Sequence, residues 1–414
     1  MKDYYAVIDL KSFYASCECA YRGLDPFLTP LVVADPERTE ATIIMSATPY
    51  LKKLYKIPNV CRVKDIPKVE NLILAQPRMA NYVKTSAEVV SILLDFFDIE
   101  DIHVYSVDES FVYLTPYLSL YNSDPIGLVK MVQKRIRDEL GLLSTAGIGP
   151  NMFMAKVCLD NEGKKKPPYY AIWNEEDVQK KLWKISPITA IWGINVGISS
   201  HLSRIGIRNL EQLAKAPIST LEREFGIIGL QLHDLANGID IANIREKYVP
   251  KEKNLNIGQV LIRDYTKKGA KVVLREMCDD LCFRLRLTNQ KVGCVALMVG
   301  YNSALHGGFS KQCSLDIASD NNDELWFTLS RLYDKYVLDA PIRNLGISFS
   351  KLRKYDYKQI SLFENEFDGQ SDKYYEAVDS IQKKYGKNAV LRMTSLLEDS
   401  TVKERHTQIG GHKA

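Results

Sequence analysis

Apolar residues along this chain recur with two periods, and the changes of period mark its elements. Tyr4-Tyr5-Ala6-Val7-Ile8 is a run of strand-forming residues that stops at Asp9. Leu31-Val32-Val33-Ala34 and Thr42-Ile43-Ile44-Met45 predict two more strands, with a turn over Asp35-Pro36-Glu37-Arg38-Thr39 between them. Pro49 to Lys56 predicts a short helix, Pro49 suiting its first turn. Helical spacing from Asn81 to Phe97 places Val83, Ala87, Val90, Leu94 and Phe97 on one face. Two β-type runs, Ile102 to Val107 and Phe111 to Leu114, are separated only by Asp108-Glu109-Ser110 and predict a hairpin.

An amphipathic helix through Leu128-Val129-Lys130-Met131-Val132 reaches Leu140, and a strand ending near Ile148 precedes a helix over Asn151 to Leu159. Gly163-Lys164-Lys165-Lys166-Pro167-Pro168 reads as an exposed loop. Residues 175–240 look all-helical, and Ile241 to Asn256 reads as a linker. Residues 257–350 mix strands and helices, with Cys294 to Val299 strand-like and Leu325 to Val337 helical. Beyond Lys354 the chain is polar, with one helix predicted from Asp372 to Tyr385.

A length of 414 residues suggests two to four domains. With 46% hydrophobic and 26% charged residues the composition is that of a folded protein. No apolar stretch reaches the roughly eighteen residues of a membrane-spanning helix. Met1-Lys2-Asp3-Tyr4-Tyr5 does not read as a secretory signal, so a cytoplasmic location is expected. The eight cysteines lack zinc-type spacing and are expected to be reduced and mostly buried. Residues 241–360 carry 20 Lys and Arg against 13 Asp and Glu, whereas the remainder is slightly acidic. A basic module on such a body suits a polyanion, because neutralised phosphates release counterions; a solvated face explains the same pattern.

The candidate chemistry lies in carboxylates. Asp9 ends a buried strand, and Asp108-Glu109 stands at a hairpin tip. Brought together, they would repel by about 1 to 4 kcal/mol per pair at ~4 Å. Lys11 is the one basic neighbour by spacing. A divalent cation would relieve the conflict, and oxygen ligands without His or Cys favour magnesium. Two such ions would suit phosphoryl displacement. Taken singly, each motif is also compatible with a turn cap or a solvated tip.

Asp9-Leu10-Lys11-Ser12-Phe13-Tyr14-Ala15-Ser16-Cys17-Glu18 followed by Tyr105-Ser106-Val107-Asp108-Glu109-Ser110-Phe111 resembles the Y-family (translesion) DNA polymerases, nearest to the UmuC-like branch of Gram-positive bacteria. Ser46 to Lys53, Gly147 to Lys156, Ile191 to Asn195 and Leu202 to Ile207 continue the likeness over nearly the whole chain. The resemblance implies an α/β and α+β multidomain, right-hand polymerase with palm, fingers, helical thumb and little finger. It implies palm segments at 1–16 and 80–170, fingers at 17–79, a helix-hairpin-helix thumb at 171–242, a little finger at 243–354, and a C-terminal tail at 355–414.

By the same resemblance Asp9, Asp108 and Glu109, with the backbone carbonyl of Leu10, hold two Mg2+ ions. Tyr14 is the aromatic gate against a ribose 2′-hydroxyl, supported by Phe13. Tyr50, Lys53 and Lys156 orient the triphosphate, Lys53 standing where arginine is usual. Asn195 replaces the second glycine of the thumb motif, and asparagine tolerates left-handed backbone. Arg263, Lys267, Lys268, Lys291 and Arg343 are candidate phosphate contacts. Gln359-Ile360-Ser361-Leu362-Phe363 resembles a sliding-clamp-binding peptide. The implied activity is low-fidelity, template-directed DNA synthesis past damaged bases, from dNTP onto a primer–template by a monomer. Two other readings are a catalytically silent accessory factor that recruits polymerases to the clamp, and a nucleotide cyclase on a similar palm.

Overall fold

A computed structural model describes residues 2–37, 42–58, 60–247, 249–250, 253–354 and 368–414. The chain divides into two compact units, Met1–Lys247 with His412–Ala414, and Tyr248–Gly411. In chain order the first unit opens with β1 (Tyr5–Leu10), α1 (Phe13–Tyr21), β2 (Leu31–Val33), β3 (Ser46–Ala47), α2 (Pro49–Leu54) and β4 (Ile73–Ala75). Then come α3 (Met79–Leu94), β5 (Ile102–Val104), β6 (Glu109–Tyr113), α4 (Thr115–Leu118), α5 (Pro125–Leu140), β7 (Ser144–Gly149), α6 (Met152–Cys158) and β8 (Tyr170–Ile172).

Five strands form a sheet in the order β5-β6-β1-β7-β8, antiparallel except for the β7–β8 pair. Alternation along β1 builds its two layers. Ala6, Ile8 and Leu10 enter a core shared with α1, α3 and α5. Val7 instead packs with Phe111, Ala155 and Leu159 on the α6 side. Asp9 has the parity of Val7. Close approach of α6 to β7 depends on two glycines: a Cβ at Gly147 would overlap Ala155 O and Leu159 N, and one at Gly149 would overlap Ala155 N.

The smaller sheet has the order β3-β2-β4. The strand expected over Thr42–Met45 is displaced to Ser46–Ala47, which pairs with Val33 and Val32. Ile44 and Ala47 fill the small core with Leu51 and Ile57, while Ile43 is exposed and makes only an isolated bridge to Arg62. α3 forms as expected but buries the neighbouring face. Tyr82, Thr85, Val89, Ile92 and Leu93 are buried, whereas Val83, Ala87 and Leu94 are exposed. Only the face with Asn81, Lys84, Glu88 and Ser91 is polar, so spacing alone allowed either of the apolar faces flanking it, and the one with Tyr82, Val89 and Ile92 packs into the core.

Residues 177–236 are helical, as α7 (Asp177–Lys180), α8 (Val196–Arg204), α9 (Leu210–Ala214), α10 (Ile218–Phe225) and α11 (Ile227–Ala236). Their core includes Leu182, Leu202, Leu213, Leu221 and Leu232. Asn195 is not left-handed. It adopts φ −84° and caps α8 by accepting from Ile198 N at 2.9 Å, while Gly193 takes φ +92°. The glycine already supplies the turn, which leaves the asparagine to serve as an N-cap.

The second unit contains β9 (Leu255–Tyr265), α12 (Lys267–Leu287), β10 (Gln290–Tyr301), β11 (Gly308–Ser319), α13 (Asn322–Tyr336), β12 (Ile342–Ser350), β13 (Arg353–Lys354) and α14 (Asp368–Tyr385). Its main sheet has the order β11-β10-β12-β9, with α12 and α13 sharing the core beneath it. α14 and the residues beyond it are held to α12 by a set of ion pairs. Arg286 grips Asp379 at 2.7 and 2.8 Å, Arg392 meets Asp279 at 2.6 Å, and Arg405 and His406 meet Asp280 at 2.9 and 2.7 Å. Such partners explain how a segment polar in sequence folds as more than a tail.

Candidate active site

The β1–β6 register sets Asp9 directly opposite Glu109. Residues opposed across an antiparallel pair point to the same face, so both carboxylates lie on the α6 side. Asp108 precedes β6 in a tight turn in which Tyr105 N and Ser106 N both donate to Glu109 O at 3.0 Å. Leu10 N donates to Asp108 O at 2.9 Å, and Ser106 Oγ donates to Asp108 Oδ1 at 2.6 Å. The hairpin is therefore stitched to the end of β1, and the early aspartate meets the later pair.

Two lysines answer these charges. Lys156, on α6 and only 7% exposed, donates to Glu109 Oε2 at 2.8 Å and to Asp160 Oδ1 at 3.2 Å. Lys164 Nζ lies 2.9 Å from Asp9 Oδ2 and 3.0 Å from Asp160 Oδ1. The expected exposed loop at 163–168 is thus corrected at its start. Gly163 is buried in a π-helical turn that carries Lys164 back over Asp9. Lys11 Nζ donates to Lys164 O at 2.9 Å and lies over the Tyr169 ring.

Burial pushes the Asp9 carboxyl up to about 6. Lys164 pulls it down, while Asp108 and Glu109 push it further up. Glu109 Oε1 is buried without a hydrogen-bond partner among the described residues. Among those residues no three His, Cys, Asp or Glu side chains form a ready-made metal cage. Even so, an orphaned carboxylate oxygen beside two further carboxylates fits a hard divalent cation, which takes oxygen ligands and adds the positive charge the cluster lacks.

Phe13 is buried at the start of α1, and Tyr14 is half-buried with its ring 5.4 Å from that of Phe13. Burial, and after it the Asp108 carboxylate, raise the Tyr14 phenol above its ordinary value. Tyr50 is half-buried on α2 and Lys53 is exposed. Lys52, overlooked in sequence, is the half-buried lysine of this helix. Burial lowers its ammonium, as do Lys11 and Lys164, while Asp9 raises it. The i,i+4 pair Asp160 and Lys164 was the available signal for the missed cation.

Several expected phosphate contacts have partners within the second unit. Arg263 pairs with Glu398 and Asp399 at 3.1 and 2.9 Å, and Lys267 donates to Val337 O at 2.5 Å. Arg343 lies 3.8 Å from Asp264, and Lys291 lies 3.8 Å from Asp320. Lys268 is exposed. Gln359, Ile360, Ser361, Leu362 and Phe363 lie outside the described residues.

Known proteins resemble this one over nearly the whole chain. Residues 8–160 match the impB/mucB/samB family, and residues 253–362 match the C-terminal domain of the same family. The UvrX protein of Bacillus subtilis (strain 168) is 34% identical over 410 residues, 98% of this chain and 97% of its own length. The chain belongs to the impB/mucB/samB family of Y-family translesion DNA polymerases. DNA polymerase IV 2 of the same strain is 30% identical over 413 residues, covering 98% of both chains. A solved Y-family DNA polymerase chimera, Dbh-Dpo4(243-245)-Dbh, has a similar fold, with a TM-score of 0.66 at 17% identity over 85% of this polymerase and 100% of that chain. The right-hand, multidomain architecture and the DNA-directed DNA polymerase activity follow, and the silent accessory reading is not favoured. Seven of the polymerase's cysteines are buried and Cys313 is half-buried. No helix among the described residues is long and apolar enough to cross a membrane.

Proposed function

We propose that this polymerase transfers a nucleotidyl group from dNTP to a primer 3′-hydroxyl at Asp9, Asp108 and Glu109, releasing pyrophosphate. The observation that carries this reading is the placement of Asp9 opposite Glu109, with Asp108 adjoining. These carboxylates and the Leu10 carbonyl would hold two Mg2+ ions. Bound there, magnesium supplies charge stabilisation to the attacking and leaving oxygens.

The chain's own cations take the outer phosphates. Lys156 and Lys164 have their ammonium groups beside Glu109 and Asp9, where a triphosphate chelating the same ions would lie. Tyr50 and Lys53 reach the triphosphate from α2, and Lys52 adds a further cation. Tyr14 lies beneath the sugar, with Phe13 behind it, and leaves no room for a ribose 2′-hydroxyl.

In this reading the palm is formed by 1–16 and 80–170, the fingers by 17–79, the thumb by 171–242 and the little finger by 243–354. Residues 355–414 would carry the clamp-binding peptide Gln359 to Phe363. The polymerase would act as a cytoplasmic monomer on primer–template DNA. Its net basic 241–360 segment supports DNA binding. Primer extension with Mg2+ tests the reading. Wild type extends, and Asp108→Ala with Glu109→Ala lowers the rate at least about 1,000-fold. Equal extension by both proteins would overturn it.

A further inference from the structure

Beneath Tyr14 lies a buried ionic cluster that the chemistry above does not use. Glu18, on α1, is 0% exposed. Its carboxylate accepts from Arg78 Nε at 2.9 Å, from Arg78 Nη2 at 2.8 Å, from Tyr82 Oη at 2.7 Å and from Arg22 Nη1. Tyr82, on α3, is also 0% exposed. Its ring centroid lies 4.9 Å from that of Tyr14 and 6.4 Å from that of Phe13. One end of Tyr82 is thus fixed by a charge, and its ring packs, tilted by 41°, against the half-buried Tyr14 ring.

We propose that Glu18, acting through Tyr82, fixes the height of the Tyr14 ring and so sets how strongly this polymerase prefers dNTP over rNTP. Glu18 and Tyr82 are positioning residues, and the inference rests on the reading of Tyr14 as the sugar gate. A ring excludes one oxygen atom only if it cannot recede by about the width of that atom, and displacements near 1 Å change rates by orders of magnitude. Phe13 and Tyr82 block the retreat of Tyr14. Tyr82 is in turn prevented from sliding, because moving its hydroxyl would leave a buried carboxylate short of a donor. The cluster joins α1 to α3, so the gate is braced by the helix packing rather than by its own loop.

The test is kcat/KM for dCTP and for CTP opposite a template guanine, in wild type, Tyr14→Ala, Tyr82→Phe, Tyr82→Leu and Glu18→Gln, with a melting curve for each. Tyr14→Ala is expected to raise the CTP-to-dCTP ratio by about 100-fold, Tyr82→Leu by about 10-fold, and Tyr82→Phe and Glu18→Gln by about 3-fold. A merely structural role lowers both substrates together and leaves the ratio unchanged. A raised ratio for Tyr14→Ala with wild-type ratios for the Glu18 and Tyr82 variants overturns the inference and leaves the gate standing. An unchanged ratio for Tyr14→Ala overturns both. Should Tyr82→Leu fail to fold, the near-isosteric Tyr82→Phe and Glu18→Gln decide the matter.

Discussion

Asp9 and Glu109, 100 residues apart in sequence, face each other across the β1–β6 pair. Like charges so opposed destabilise a sheet, and a strand end selected for stability alone would not place them there. Lys164 and Lys156 offset part of the repulsion. The remaining imbalance is visible in the raised Asp9 carboxyl and in the unpartnered Glu109 Oε1.

That imbalance predicts a trade of stability against activity. Because the folded-state value of Asp9 is raised from 3.8 to about 6, folding favours the protonated form. Its contribution is therefore most favourable at acid pH and is lost as pH rises through about 6. Asp9→Asn is expected to abolish primer extension. At pH 7 it should unfold at higher temperature than wild type, by an amount worth about 1 to 3 kcal/mol, the Lys164 pairing being already counted in the raised value. Calorimetry at pH 4.5 and pH 7 checks this, and the advantage of the variant should shrink at the lower pH.

The two neighbouring lysines of α2 should behave differently. Lys52 is half-buried and within electrostatic reach of Asp9, Lys11 and Lys164, whereas Lys53 is exposed. Lys52→Ala is expected to raise KM for dNTP about 10-fold, and Lys53→Ala by no more than about 3-fold. Single-nucleotide incorporation kinetics measure both. The reverse order would mean that α2 turns its other face to the triphosphate.

Gly147 allows α6 to lie against β7, which puts Lys156 beside Glu109. Gly147→Ala forces a methyl group into the Ala155 carbonyl and the Leu159 amide. The expected loss is about 3 kcal/mol or more in denaturant unfolding, with a parallel fall in extension rate.

Legibility in the sequence tracked how local each feature is. The strand ending at Asp9 and the hairpin around Asp108 were readable because apolar alternation and short spacing are local signals. Their meeting was not, since the order β5-β6-β1-β7-β8 is set by long-range pairing. Lys164 was hidden inside Lys164-Lys165-Lys166-Pro167-Pro168, whose composition looks solvated and whose later residues are exposed, although the π-helical turn before it leaves Lys164 half-buried beside Asp9. The buried face of α3 was misassigned because Val83, Ala87 and Leu94 offered a stripe as apolar as the one that packs. Glu18 closes the motif that carries the family resemblance, yet no role could be read for it there, because its partners Arg78 and Tyr82 lie some 60 residues on.

The central claim is that the three carboxylates gather divalent ions against a nucleotide. Diffraction at the manganese absorption edge, from crystals with primer–template, dNTP and Mn2+, tests it most directly. Anomalous peaks at about 2.1 Å from oxygens of Asp9, Asp108 and Glu109 and from the Leu10 carbonyl are the predicted result. A fully bound nucleotide with no peak among these side chains would contradict it.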